Sequence, residues 1–223
     1  MRAWSILGRV DPMKHFLCIA ALAVQLITST RATQTDYFPP GALDETPQSS
    51  HFKEQWYTNQ LHALKEPSLW ELSKTQRTQT YRFLWLRSFH QPISVRLDIS
   101  HDGTGVLTTK ATSGRGGYKP GNLVTNKTRA LTKEQATWFL DRIEEVGFWS
   151  LPVYEKPHKG VGPNGESTVE VNLDGAQWIL EGIKDGQYHV ADRWSPENGP
   201  VRTLGIIMLI DLANLKLLYE EVY

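Results

Sequence analysis

The 223-residue chain has a single cysteine, Cys18. A disulfide needs two cysteines, and thiolate zinc sites and iron–sulfur clusters need several, so those chemistries are excluded. Charge of one sign is not in excess either, because 24 Lys and Arg balance 24 Asp and Glu. Without a net basic field there is no long-range attraction for nucleic acid. Long hydrophobic runs are missing as well. The apolar stretch Phe16–Ile27, with Gln25 its one polar residue, extends roughly 18 Å as a helix, whereas a bilayer core measures about 30 Å. A Gly-x-Ser-x-Gly elbow is absent, and no two histidines stand at i, i+3 or i, i+4 on a helical pattern, so neither a nucleophile elbow nor a zincin-type metal site is spelled.

That apolar stretch has a basic flank in Arg2, Arg9 and Lys14 and is followed by small polar residues up to Ala32, the pattern of a secretory signal peptide. Cys18 lacks the neighbours of a lipidated cysteine. Removing residues 1–32 takes away four basic residues and Asp11, leaving 20 basic and 23 acidic side chains and no cysteine. An exported protein without disulfides must hold itself together by its core, and it points to a bacterial envelope or exterior. Residues 33–50, with Pro39, Pro40, Gly41 and Pro47, read as a flexible tether. Residues 51–223 read as one domain.

Within it, Phe52, Trp56, Tyr57, Leu61 and Leu64 recur at helical spacing up to Pro67, with a short turn around Leu69–Leu72. Period two takes over at Thr78–Phe89, apolar on both faces as in a central strand. A second strand carries Ile93, Val95, Leu97 and Ile99, and Asp102-Gly103 turns it into a third ending at Thr112. Residues 113–130 read as a long glycine-rich loop. Thr132 and Gln135 form a capping box before the stripe Trp138, Phe139, Leu140, Ile143 and Val146, which Gly147 stops. After a second loop, Pro157–Gly165, three strands are joined at Asp174-Gly175 and Asp185-Gly186. Two-residue turns there set Val169 against Leu180, Ile183 against Tyr188, Ile179 against Asp192 and Trp178 against Arg193. A long helix over Val201–Glu220 closes the chain. The expected fold is α+β: an antiparallel sheet of about six strands in two βββα-like halves, with helices on one face.

Tyr81-Arg-Phe-Leu-Trp-Leu-Arg-Ser-Phe-His90, with Gly186-Gln-Tyr-His-Val190 and Arg193-Trp-Ser-Pro196, resembles exported bacterial proteins with no assigned activity. The likeness covers roughly residue 80 onward. It implies an envelope or secreted setting and supplies no activity, cofactor or catalytic residue.

The candidate catalytic groups are Glu170, Glu181 and Asp192. The expected register places them on the outer, polar face of the last three strands, Glu170 and Asp192 about 10 Å apart and Glu181 about 7–8 Å from Glu170. Carboxylates so spaced suit inverting glycoside hydrolysis, with Tyr188 or Trp194 as a sugar platform. Acids that merely keep a wet sheet face soluble explain the same pattern. Ser113-Gly-Arg-Gly-Gly-Tyr-Lys119 offers successive backbone N–H groups beside Arg115 and Lys119 as an anion nest. The ligand-binding candidates are therefore Arg115, Tyr118 and Lys119 in the first loop, His158 in the second, and Trp194. Most of the tryptophans sit at core phases, and Trp178 opposite Arg193 suits a cation–π pair. No metal site or cofactor is expected. The function expected by elimination is a non-catalytic module binding a protein or small ligand of the bacterial envelope through the 113–130 and 153–166 loops. An envelope hydrolase acting on sugars or peptides and a structural assembly protein are the alternatives.

Overall fold

The strand Gln79–Arg87 (β1) sits inside the sheet because both of its faces are apolar: Tyr81, Phe83 and Trp85 point one way, Leu84 and Leu86 the other, and all five are buried. The computed structural model describes residues 36–156, 159–161, 167–169, 174–217 and 221–223. Along the chain come α1 (Pro47–Ala63), α2 (Leu69–Thr75), β1, β2 (Ile93–Ile99), β3 (Gly105–Thr112), β4 (Leu123–Leu131) and α3 (Lys133–Glu145). Then follow β5 (Lys159–Val161), β6 (Ser167–Val169), β7 (Ala176–Lys184), β8 (Gln187–Trp194) and α4 (Pro200–Ile206), which runs into a π-helical turn over Ile207–Leu212. Six strands form one antiparallel sheet in the order β4-β3-β2-β1-β7-β8, and β5 pairs with β6 alone. The α+β class and the six-stranded antiparallel sheet match the expectation from the sequence.

The hairpin β7–β8 has the register that its turn spells. Asp185 and Gly186 both have positive φ, 54° and 82°, as a two-residue type I′ turn requires. Trp178 pairs with Arg193, Ile179 with Asp192 and Ile183 with Tyr188. Helix α3 starts on the Thr132–Gln135 capping box and stops at Gly147, φ 65°.

Several details differ from the sequence reading. Helices cover both faces of the sheet. Phe139, Ile143, Leu204 and Met208 pack on Tyr81, Phe83, Trp85, Val95 and Trp178, while Tyr57 and Leu61 of α1 and Leu64 at its C-cap pack on Leu84, Leu86, Ile179 and Val190 across the sheet. The halves are also unequal, because the segment taken as loop over 113–130 contains β4, an edge strand with mostly exposed side chains. Strand β6 does not join β7. Both edges of β7 are occupied, Leu180 pairing with Phe83 on β1 and with Ala191 on β8, so Val169 pairs with Lys159 instead.

The tether reading fails for residues 36–50. Tyr37, Phe38 and Leu43 are buried in the α1 core, and Thr46 caps α1 with Pro47 at its first turn. The closing helix is shorter than expected. Its regular backbone ends at Leu212, and Asn214 takes φ 51°, which turns the chain back. The Tyr223 carbonyl then accepts the indole N–H of both Trp85 and Trp178 at 3.0 Å. The cation over Trp178 is Arg202, 5.4 Å from the ring centroid, and Arg87 lies 4.0 Å over Trp85. Arg193 is engaged elsewhere.

Candidate functional site

Alternation along β7 and β8 places Glu181, Tyr188, Val190 and Asp192 on one face, which polarity alone marks as wet. In the structure α1 and α2 cover that face. Arg82 of β1 lies directly opposite Glu181 of β7, and neither is exposed at all. Arg82 Nε and Nη2 donate to Glu181 Oε2 at 2.8 and 2.6 Å, and Tyr188 Oη donates to Glu181 Oε1 at 2.9 Å. Glu66, in the α1–α2 turn, pairs with Arg96 and Lys110 at 2.8 Å each and stands 3.7 Å from Arg82. Burial, the largest influence on Arg82, opposes its charge, yet Glu181 and Glu66 hold its pKa above the ordinary arginine value. Burial pushes the Glu181 carboxyl up against the pull of Arg82. Unpaired, such a charge would be unaffordable in the interior. The ionic layer is therefore a matched set that holds the α1–α2 turn on the sheet.

Asp192 is a second hub. Its Oδ2 accepts from Lys53 Nζ at 3.1 Å and from Tyr57 Oη at 3.0 Å. Lys53 also pairs with Asp44 at 3.1 Å. Lys53 and Tyr57 stand four residues apart on α1, hence on one helix face. Asp192 is 3% exposed, and burial pushes its carboxyl up despite Lys53.

Neither carboxylate meets the needs of glycoside hydrolysis, which places a substrate between two accessible carboxyl groups. Glu170 lies outside the described residues, and the geometry that set it beside Ile179 requires β6 on β7, where β1 already sits. The sequence also contains Ser50-His51-Phe52-Lys53, a Ser-x-x-Lys spacing absent from the candidates above. Ser50 is fully buried, accepts from Leu43 N–H and donates to Glu54. With Lys53 turned to Asp44 and Asp192, the two do not form a nucleophile and its base.

Beyond Asp192 the sheet edge opens into a cleft of about 960 Å³. One wall is the strap of residues 151–156. Asp192 N–H donates to the Val153 carbonyl at 2.6 Å, Tyr154 forms a parallel bridge to Asp192, and Arg193 donates to the carbonyls of Pro152 and Val153 and pairs with Glu155 at 2.7 Å. The other wall is the turn from Ser195 to Pro200. Ser195 has φ 39°, held by its N–H on the Ala176 carbonyl and by its Oγ, which accepts from Ala176 N–H, both at 2.8 Å. Trp194, 37% exposed, lines the cleft.

The walls contribute the acids Asp44, Glu45, Glu155, Asp192 and Glu197 and the cations Lys53, Lys156 and Arg193. Each cation is paired: Lys53 with Asp44 and Asp192, Lys156 with Glu45, Arg193 with Glu155. Glu197 makes no ion pair among the described residues, so the cleft carries net negative charge. Two sequence candidates, Asp192 and Trp194, meet here, Asp192 as a structural anchor and Trp194 as the open ring. The sequence reading missed Lys53, Tyr57 and Tyr154. A lysine sharing the buried stripe of α1 with Tyr57 was the available signal.

The glycine-rich loop is not an anion nest. Its N–H groups are consumed internally: Gly114 donates to Pro120, Arg115 to Lys119, Gly116 to His90, Gly117 to Ser88 and Tyr118 to Arg115. Arg115 and Lys119 are exposed side chains on a closed turn, Tyr118 and Lys119 line a separate groove beside α1, and His158 lies outside the described residues. Among the described residues no cluster of three or more His, Cys, Asp or Glu is arranged to hold a metal ion. No family model, curated protein or solved structure matches the chain.

Proposed function

We propose that this chain is a non-catalytic binding module of the bacterial envelope, exported by way of residues 1–32, whose ligand enters the cleft between the 151–156 strap and the 195–200 turn. The observation that supports this reading is a division of labour at one end of the sheet. Glu181 and Asp192 are consumed by internal ion pairs, whereas Trp194 faces the open cleft and Glu197 has no cationic partner among the described residues. An exposed indole face attracts a desolvated cation, and a carboxylate beside it adds to that attraction. The cleft lies within the volume range of small-ligand sites, and a short basic peptide has the matching chemistry.

Titration calorimetry of the full chain with trilysine and trialanine at physiological salt tests the reading. Trilysine is expected to bind and trialanine not to. Trp194→Ala and Glu197→Gln should each weaken trilysine binding several-fold to about tenfold with unchanged melting temperature. Cleavage of the peptide during titration would move the reading to the hydrolase, and no binding at millimolar concentration would end it.

A further inference from the structure

The ion pairs that line the cleft beside Trp194 differ in how firmly they hold. Lys53–Asp192 closes at 3.1 Å on a carboxylate only 1% exposed, and Arg193–Glu155 closes at 2.7 Å on a guanidinium 5% exposed. A charge so far out of water depends on its partner, because removing the partner leaves it uncompensated. The pair Lys156–Glu45 is of another kind. Its side chains are 77% and 59% exposed and stand 3.5 Å apart, the regime in which solvent and salt leave a pair little net strength. Of these pairs it is the one that an incoming charge can exchange.

The backbone on both sides of this pair is fixed, while the side chains stand in solvent. Glu45 lies between buried Leu43 and Thr46, the N-cap of α1, and its N–H donates to Asp44 Oδ1 at 2.8 Å. The strap is pinned to β8 through Val153, Tyr154 and Glu155. Lys156 follows, and Glu45 is its one partner among the described residues. Both residues line the cleft. Glu45 therefore presents a carboxylate at a defined place, and the flexible stem of Lys156 can swing away without moving the strap.

We infer that Glu45 is a second ligand-binding carboxylate of the cleft and that Lys156 is its built-in competitor. The inference rests on the cleft reading proposed above. One positive group of the ligand goes to Trp194 and Glu197, a second takes the place of Lys156 on Glu45, and Lys156 turns out to water. Because the second contact replaces an existing one of the same kind, Lys156 weakens binding by about the strength of the pair it gives up. The arrangement selects peptides with at least two positive groups, since only these reach Glu45 while holding Trp194.

Titration calorimetry of the full chain with trilysine, in a double-mutant cycle, tests the inference. Lys156→Met should tighten trilysine binding about twofold to fivefold, the range of an exposed ion pair, with unchanged melting temperature. Most of that gain should vanish in the Glu45→Gln background, where there is no carboxylate to release. Lys184→Met removes the same charge from a pair with Glu144 outside the cleft and should change nothing. Unchanged affinity in Lys156→Met overturns the inference while leaving the cleft reading intact. So does a gain that persists in full with Glu45→Gln, or one that Lys184→Met reproduces, because either shows a general charge effect. Absence of trilysine binding by both the unsubstituted chain and Lys156→Met ends the cleft reading and this inference with it.

Discussion

Arg82 and Glu181 face each other across β1 and β7 with no solvent exposure, joined by two hydrogen bonds of 2.8 and 2.6 Å to one carboxylate oxygen. The pair sits in the interior of a sheet that helices cover on both faces, so its charges have no route to water.

Breaking such a pair on one side differs from replacing it. Arg82→Met leaves Glu181 and Glu66 short of a cation in the interior and should cost about 3–5 kcal/mol in urea unfolding. Arg82→Met combined with Glu181→Leu removes both charges and retains Glu66 on Arg96 and Lys110. The double variant should therefore be more stable than the single by at least about 1 kcal/mol. A single variant losing under about 1 kcal/mol would show that water reaches the pair.

The Lys53–Asp192 contact predicts a pH dependence. Burial raises the folded pKa of Asp192 above its ordinary 3.8, and Lys53 is the largest influence opposing that rise. Lys53→Met removes the opposition, so the folded-state pKa climbs further. A carboxyl whose folded pKa lies above its unfolded value stabilises the fold most fully below the unfolded value, and that contribution fades as pH rises through the folded one. The stability deficit of Lys53→Met relative to the unsubstituted protein should thus be largest near pH 7 and shrink toward pH 4. Paired urea titrations across that range measure it. A deficit independent of pH would mean that Lys53 acts by packing its stem rather than by its charge.

What the sequence made legible, and what it hid, follows from how each segment uses polarity. Asp185-Gly186 demands positive φ at two positions, and from that constraint alone the pairs Trp178–Arg193 and Ile179–Asp192 follow. The Thr132 capping box and the apolar faces of β1 and β2 were equally readable. Strand β4 was not, because Leu123–Leu131 lies at an edge with most side chains exposed, leaving no buried face to impose alternation. The face beneath α1 was misread for the opposite reason. Arg82, Glu181 and Asp192 are polar yet buried, and a period-two reading treats every polar position as facing water. Of the site candidates, Trp194 was found because its exposure follows its alternation. The Lys53 and Tyr57 partners of Asp192 lie 139 and 135 residues away in the sequence, and no local pattern connects them.

The glycine-rich loop yields the last prediction, which rests on a close backbone approach rather than on φ. A Cβ at Gly116 would lie 2.6 Å from the Arg87 carbonyl oxygen and 2.7 Å from its nitrogen. Both are backbone atoms at the end of a central strand, so they cannot give way as a flexible side chain would. Gly116→Ala should cost about 1–3 kcal/mol as an overpacked site and push the loop off α1. The Gly116 carbonyl accepts from both Trp56 Nε1 and Gln60 Nε2, so displacement frees both donors and opens the groove. The measurable signs are a lower unfolding midpoint and faster hydrogen exchange at the amides of residues 114–118, whose partners are all within this turn or at residues 88 and 90. Unchanged exchange with an unchanged midpoint would mean that the loop carries no packing load, and the clamp holding Tyr118 beside Trp56 would then rest on the Gln60 contacts alone.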